Sequence, residues 1–256
     1  MVQDSDLFNL RGKTAIVTGG GSGIGRRVAL ALARYGVRLL IADIDEEAAG
    51  KVVSEIKAEG GEADALRVDV TAEQDVKRMV SYALEKYGRI DILFNNAGII
   101  LTGPAESLPL EAWNKTIAVN LTGMFLCAQA VGRVMIKQGG GKIISTSSVS
   151  GKLGHPGNVA YAASKHGVIG MTKVMAVEWG KYHVNVNCIG PGIARTPMTE
   201  RLFKNEEWYR QQVAKVPMGR LAETDDLVGA VIFLASPASD YITGQTIFIE
   251  GGRTAD

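Results

Sequence analysis

Cysteine is nearly absent from this chain: there are two, Cys127 and Cys188. Neither belongs to a CxxC pair or stands at metal-ligand spacing from a histidine, which excludes a cysteine-based metal centre and a dithiol redox motif. Their apolar surroundings read as buried free thiols in a reducing cytosol. Surplus charge is lacking too, since 28 Lys+Arg against 27 Asp+Glu leave +1. Such a balance offers no electrostatic footprint for nucleic acid or an anionic membrane. No uninterrupted apolar run reaches the ~18 residues of a membrane span, and the segment from Met1 to Arg11 is too polar for a signal peptide. Prolines number 7, and no Pro/Gly/Ser-rich linker divides the chain. The 256 residues therefore read as one soluble, cytoplasmic domain, 1–256. Hydrophobic residues at 46% and charged ones at 21% are ordinary for a globular protein, so wholesale disorder is excluded. Glycine is the outlier, 31 residues without periodicity, and belongs in turns and close backbone approaches.

Short β-branched runs alternate with helical patterns. Strands are expected at Thr14–Thr18, Arg38–Ala42, Ala65–Val68, Ile90–Phe94, Lys142–Thr146, Val184–Cys188 and Thr246–Ile249. Helices are expected near Ile24–Tyr35, Glu46–Glu59, Glu73–Tyr87, Leu110–Lys137, Val159–Lys181 and Thr224–Leu234. Repeated strand–helix–strand units require right-handed crossovers, hence an α/β fold with a parallel sheet covered on both faces. The near-continuous apolar strands (Ala15-Ile16-Val17, Leu39-Leu40-Ile41) agree. One irregular insertion, Gly190 to Arg220, carries a helical piece around Met198–Val213 and reads as a substrate lid at about 190–220.

The first strand runs into Thr18-Gly19-Gly20-Gly21-Ser22-Gly23-Ile24-Gly25 and then a helix. Glycines at the first βα turn let the backbone approach a pyrophosphate, which the unpaired N–H groups and dipole of the helix N-terminus attract. Gly19, Ser22, Gly23, Ile24 and Gly25 are thus candidate cofactor contacts. The spacing is not that of a P-loop, which requires Gly-Lys-Ser/Thr. Asp43 follows the second strand, where a carboxylate accepts from an adenosine ribose. It also repels a 2′-phosphate: at about 4 Å and an effective dielectric near 20, two unit charges cost roughly 4 kcal/mol. No basic residue immediately follows Asp43, and Ser22 rather than Lys or Arg precedes Gly23, so the expected cofactor is NAD rather than NADP. The competing role for Asp43, a helix cap, is better met by Asp45. Asp69-Val70 and Asn95-Asn96-Ala97-Gly98 end the third and fourth strands along the same crevice. Asp69 could accept from the adenine amino group, and Asn96, Ala97 and Gly98 let a sugar pack against the backbone.

Tyr161 and Lys165, four apart on a helix, share one face. A phenol with pKa near 10 is a poor base at neutral pH, and a neighbouring ammonium favours its ionised form. Tyr161 then exchanges a proton with an alcohol or carbonyl oxygen. A second pair at this spacing, Tyr82 and Lys86, has no matching serine and reads as a surface helix. Tyr161 has Ser148 thirteen residues upstream, just after the fifth strand. Asn120 is an amide in an apolar run, and a buried amide needs partners.

Together, these pieces resemble the classical short-chain dehydrogenase/reductase family over essentially the whole chain. The matching residues are Thr18-Gly-x3-Gly-x-Gly25, Asp69, Asn95-Asn-Ala-Gly98, Asn120, Ser148, Tyr161-x3-Lys165 and Pro191-Gly192-x3-Thr196. The resemblance implies a doubly wound Rossmann fold with seven parallel strands. It implies a catalytic set in which Asn120 holds a water that relays protons from Lys165, Ser148 polarises the substrate oxygen and Tyr161 is the acid/base. Lys165 would lower the tyrosine pKa and bond the nicotinamide ribose, while Ile193 and Thr196 grip carboxamide and pyrophosphate. Homotetramers paired through the fifth and sixth helices are implied as well, and the small and apolar residues of Val159–Lys181 suit a second buried side. No metal is expected.

Substrate identity should lie in Ile99–Thr102, Val149–Asn158 and Met198–Val216. His155 is either a substrate contact or an exposed loop residue, while His166 and His183 read as ordinary helix and turn residues. Met198, Phe203 and Trp208 either line an apolar lid or pack a surface helix. Acyl-carrier-protein reductases tend to carry arginines where Gly139 and Tyr182 stand. Some gluconate-type enzymes have an arginine just after the Asn-Asn-Ala-Gly segment, where this chain has Leu101-Thr102. With no obvious cation for a carboxylate, the expectation is an NAD-dependent interconversion of a neutral secondary alcohol, polyol or sugar derivative with its ketone. The alternatives are a 3-oxoacyl reductase using NADPH and a nucleotide-binding protein without turnover.

Overall fold

The computed structural model describes residues 7–255; the start of the polar segment read at Met1–Arg11, and Asp256, lie outside them. Seven strands form one sheet: β1 Thr14–Thr18, β2 Arg38–Asp43, β3 Ala63–Arg67, β4 Ile92–Asn95, β5 Gly141–Thr146, β6 Val184–Pro191 and β7 Thr246–Ile249. Their order is β3-β2-β1-β4-β5-β6-β7, every pair parallel. The chain reverses its direction of winding between β1 and β4, which opens a crevice at the carboxyl ends of those strands.

The helices are α1 Gly23–Arg34, α2 Glu46–Ala58, α3 Glu73–Tyr87, α4 Leu110–Ile117, α5 Met124–Gln138, α6 Val159–Trp179, α7 Glu200–Phe203, α8 Glu206–Val213 and α9 Asp225–Ala235. Alternate strand residues serve opposite faces. Val17, Leu39, Ile41 and Phe94 pack with Val28 and Leu32 of α1, Val52 of α2 and Val231 of α9. Ile16, Leu40, Leu93 and Ile143 pack with Met79 of α3, Val131 of α5 and Met175 of α6. The central strands β1, β2 and β4 are apolar at consecutive positions because both sides are dry. Cys127 and Cys188 are free and buried.

Several boundaries differ from the sequence expectation, each for a tertiary reason. The single helix expected over Leu110–Lys137 is interrupted by a π-helical turn, Ala118–Gly123. There Gly123 sits so close to Val70 that a Cβ would come within 2.8 Å of its side chain. β4 begins at Ile92, not Ile90, because the backbone of Ile90 is bonded in both directions by the Gln138 side chain. β3 runs from Ala63 to Arg67 as an edge strand paired with β2 alone, so its apolar content understates its length. The helical piece around Met198–Val213 is two helices, because Asn205 caps α8 by accepting from the Trp208 N–H at 3.0 Å.

The helical stretch Leu110–Gln138 is, by length and composition, apolar enough to cross a membrane. Its α5 portion packs between α3 and β5 as a core helix.

Candidate active site

A cleft of about 340 Å³ follows the carboxyl ends of β1–β5. Gly19, Ser22, Gly23 and Ile24 line one part of it, and Asp43, Asp69 and Val70 another. Asn96, Ala97 and Gly98 line it together with Tyr161, Lys165 and Thr196. Of the remaining expected residues, Gly25 lies behind the glycine turn. Ile193 faces a separate cavity of about 150 Å³, and its carbonyl accepts from Ala222.

The glycine turn is shaped for close approach. Gly19 has φ +62°, and a Cβ there would stand 2.8 Å from the Ala97 Cα; a Cβ on Gly25 would run into the Gly19 carbonyl oxygen. The Asn96 amide nitrogen donates to the carbonyls of Thr18 and Gly19, both at 3.2 Å, and Thr18 Oγ1 accepts from the Asn96 and Ala97 N–H groups. Thr18 opens the motif read from the sequence, but its role as the hydroxyl that joins the ends of β1 and β4 was not read there. Asp43 Oδ2 accepts the Gly21 N–H at 2.8 Å and Oδ1 the Asp45 N–H at 3.0 Å. Asp45 does cap α2, accepting from Ala48. Asp69 Oδ1 accepts from both the N–H and the hydroxyl of Thr71. This cradle of small residues, helix N-terminus and fixed carboxylate fits an adenine dinucleotide. Ile44, the non-basic residue that follows Asp43, is 60% exposed and also lines it.

Tyr161 and Lys165 stand one turn apart on α6, with Lys165 Nζ 5.4 Å from the Tyr161 ring centre. Lys165 is buried and donates to the Thr146 carbonyl at 2.8 Å. The Ser148 hydroxyl faces the Tyr161 phenol and, as a hydrogen-bond partner of its ionised form, pulls the phenol pKa down. Burial outweighs that pull and leaves Tyr161 above the ordinary tyrosine value. Of these two influences on the phenol, burial is the larger and Ser148 the opposing one. Lys165 is itself perturbed, pushed down to about 8 by burial.

Asn120, wholly buried in the π-helical turn, accepts from the Ile99 N–H and donates to the Ile99 carbonyl, both at 2.8 Å, and reaches Ser164 Oγ at 3.3 Å. Ser164 donates to the Tyr161 carbonyl at 2.7 Å. The amide thus ties the loop after β4 to the tyrosine helix, and both its donor hydrogens are committed to protein. Thr146 was also missed; besides receiving Lys165, its hydroxyl donates to Asn96 Oδ1 at 3.2 Å.

The competing pair is separated from all this: Lys86 lies 3.7 Å from Asp64 and Tyr82 packs against the core. His166 bonds the Ala162 carbonyl within α6, and His183 occupies a left-handed turn with φ 59°. Met198 lines the cleft, whereas Phe203 packs on Trp208 and Tyr209 beneath the Arg195 guanidinium. Among the described residues no group of His, Cys, Asp and Glu could hold a metal.

A family model described as enoyl-(acyl carrier protein) reductase matches residues 19–254. A short-chain type dehydrogenase/reductase from Mycobacterium marinum is 39% identical, with a TM-score of 0.95 over 98% of this chain and 99% of that one. The chain belongs to the classical short-chain dehydrogenase/reductase family. A 3-oxoacyl-(acyl-carrier-protein) reductase of Thermotoga maritima is 41% identical over 96% of this chain and 99% of its own. A gluconate 5-dehydrogenase from Burkholderia cenocepacia, solved in complex with NADP and tartrate, is 38% identical with a TM-score of 0.96, covering 99% and 100% of the two chains. Membership makes this chain a nicotinamide-dependent oxidoreductase acting between alcohol and ketone.

Proposed function

We propose that this short-chain dehydrogenase/reductase uses NAD(H) to interconvert a neutral secondary alcohol, polyol or sugar derivative with its ketone. The observation that carries the reading is that Tyr161 and Lys165 line the dinucleotide-shaped cleft together, with Ser148 behind them as hydrogen-bond partner of the Tyr161 phenol. Gly19, Ser22, Gly23, Ile24 and Thr196 would hold the pyrophosphate side, Asp43 the adenosine ribose, Asp69 and Val70 the adenine, and Asn96 to Gly98 the second sugar. The hydride acceptor, and a positive charge favouring the phenolate, are supplied by the oxidised nicotinamide when bound. Ser148 donates to the substrate oxygen and fixes it against Tyr161. Tyr161 removes the hydroxyl proton at Oη as the carbonyl forms, and returns it in the reverse direction. Lys165, anchored on the Thr146 carbonyl, would bond the nicotinamide ribose and hand protons to a water near Asn120, whose own amide hydrogens are both taken by protein.

NAD is favoured over NADP because the Asp43 carboxylate is fixed beside the glycine turn, where a 2′-phosphate would meet a like charge. We read the chain as one catalytic domain whose segment at about 190–220 closes over substrate. Val174 and Val177 on α6 are 57% and 85% exposed, which supports pairing of this face with a second copy, within a homotetramer. Buried free thiols support a cytoplasmic setting. The test is oxidation by NAD across secondary alcohols, polyols and sugar acids: turnover of a neutral member supports the reading, and activity confined to acids excludes a neutral substrate.

A second reading, an NADPH-linked 3-oxoacyl reductase, is favoured by the 41% identity to the Thermotoga reductase. Reduction of one ketone with NADH and with NADPH, compared side by side, separates the two.

A further inference from the structure

Three segments distant in sequence meet around Arg253, one of them its own. From α8 comes Gln212, whose Oε1 accepts from Arg253 Nη1 at 3.2 Å. From the loop after β5 comes His155, whose Nε2 lies 3.1 Å from Arg253 Nη2. The third is the C-terminal turn, where Glu250 accepts from the Thr254 N–H at 3.0 Å. A guanidinium has no acceptor, so His155 Nε2 must accept and its proton sits on Nδ1. Nδ1 then donates to Ser150 Oγ at 3.1 Å, and the Ser150 N–H donates to Ser148 Oγ at 3.1 Å. That last bond occupies a lone pair of Ser148 and leaves its hydroxyl hydrogen for the phenol or the substrate. A second tie joins the same segments: Lys152 Nζ donates to the Thr254 carbonyl at 2.8 Å.

We propose that Arg253 and His155 are positioning residues, a latch that couples the seating of helix α8 to the orientation of the Ser148 hydroxyl. The inference rests on the reading of Ser148 as the group that binds the substrate oxygen. The charged groups facing His155 are Arg253 and Lys215, with Glu250 facing Arg253 in turn. Burial and both cations hold the imidazole neutral to below its ordinary value. Protonation would set imidazolium against guanidinium and open the latch, so the wild type carries an acidic limb in kcat.

The test compares His155→Leu, His155→Gln and Arg253→Met, in steady-state oxidation with NAD and in limited proteolysis of the α7–α8 segment. Glutamine can accept from Arg253 and donate to Ser150, so it restores the latch without a titrating ring. His155→Leu and Arg253→Met should each lower kcat about tenfold, leave the KM for NAD within about twofold, and speed cleavage of α7–α8. Their double variant should be no worse than either, since coupled residues are non-additive. His155→Gln should recover most of kcat and lose the acidic limb. Equal losses in the leucine and glutamine variants, additive losses in the double variant, or unchanged cleavage would overturn the latch. Proteolysis needs no turnover, so the latch is judged even where the oxidation screen finds no substrate.

Discussion

Asp43 Oδ2 accepts the Gly21 N–H at 2.8 Å, tying the end of the second strand to the glycine turn. Its other oxygen takes the Asp45 N–H. Both bonds fix where the carboxylate points, beside the glycine turn and toward the position proposed for the adenosine ribose. The neighbouring Ile44 is exposed in the same cleft. Replacing Asp43 with Ala and Ile44 with Arg removes the anion and adds a cation. The ratio of kcat/KM for NADP to that for NAD should rise at least about tenfold, within a ceiling of about a thousandfold set by the like-charge cost. An unchanged ratio would mean that the end of β2 does not read the 2′ position.

Lys165 makes a prediction about stability. Its folded-state pKa, about 8, lies below the ordinary 10.5 because burial penalises the ammonium. Between those values the unfolded chain holds more protons than the folded one, so this group's contribution to stability rises with pH. Relative to Lys165→Met, the wild type should gain about 2 kcal/mol between pH 7 and 9.5. The comparison also cancels Cys127, whose raised value, about 12, acts oppositely over alkaline pH. Urea unfolding of both proteins at the two pH values measures it; a constant difference would mean the lysine is not desolvated.

Asn120 should behave as a clasp. Asn120→Ala leaves the Ile99 N–H and carbonyl without their partner. Leaving one buried polar group unpaired costs about 1–3 kcal/mol, so a loss of about 2–4 kcal/mol is expected in chemical denaturation, with weaker NAD binding. A variant as stable as wild type would show that the Ile99 loop finds other partners.

The order of elements was legible because it rests on local alternation: apolar strand, polar-faced helix, glycine at the first turn. The residues that line the cleft were legible for the same reason, as they lie at strand ends. What escaped depends on contacts far apart in sequence. Nothing within Leu110–Lys137 announces that Asn120 will be drawn to the Ile99 backbone and widen the helix into a π turn. Gln138 replaces strand pairing at Ile90 from 48 residues away, which no window centred on Ile90 contains. His155 could be read as a substrate contact or an exposed loop residue; it is neither alone, being held between Ser150 and Arg253. Spacing shows the ammonium one turn from Tyr161 but not the depth of burial that raises the phenol.

The proton-transfer role of Tyr161 is the central claim, and Tyr161→Phe tests it most directly, because the ring is kept and only the phenol oxygen is removed. With the best alcohol from the screen and saturating NAD, kcat should fall at least about a hundredfold while NAD affinity, measured by titration, stays within about twofold. A fall of only a few-fold, with the cofactor still bound, would contradict the account.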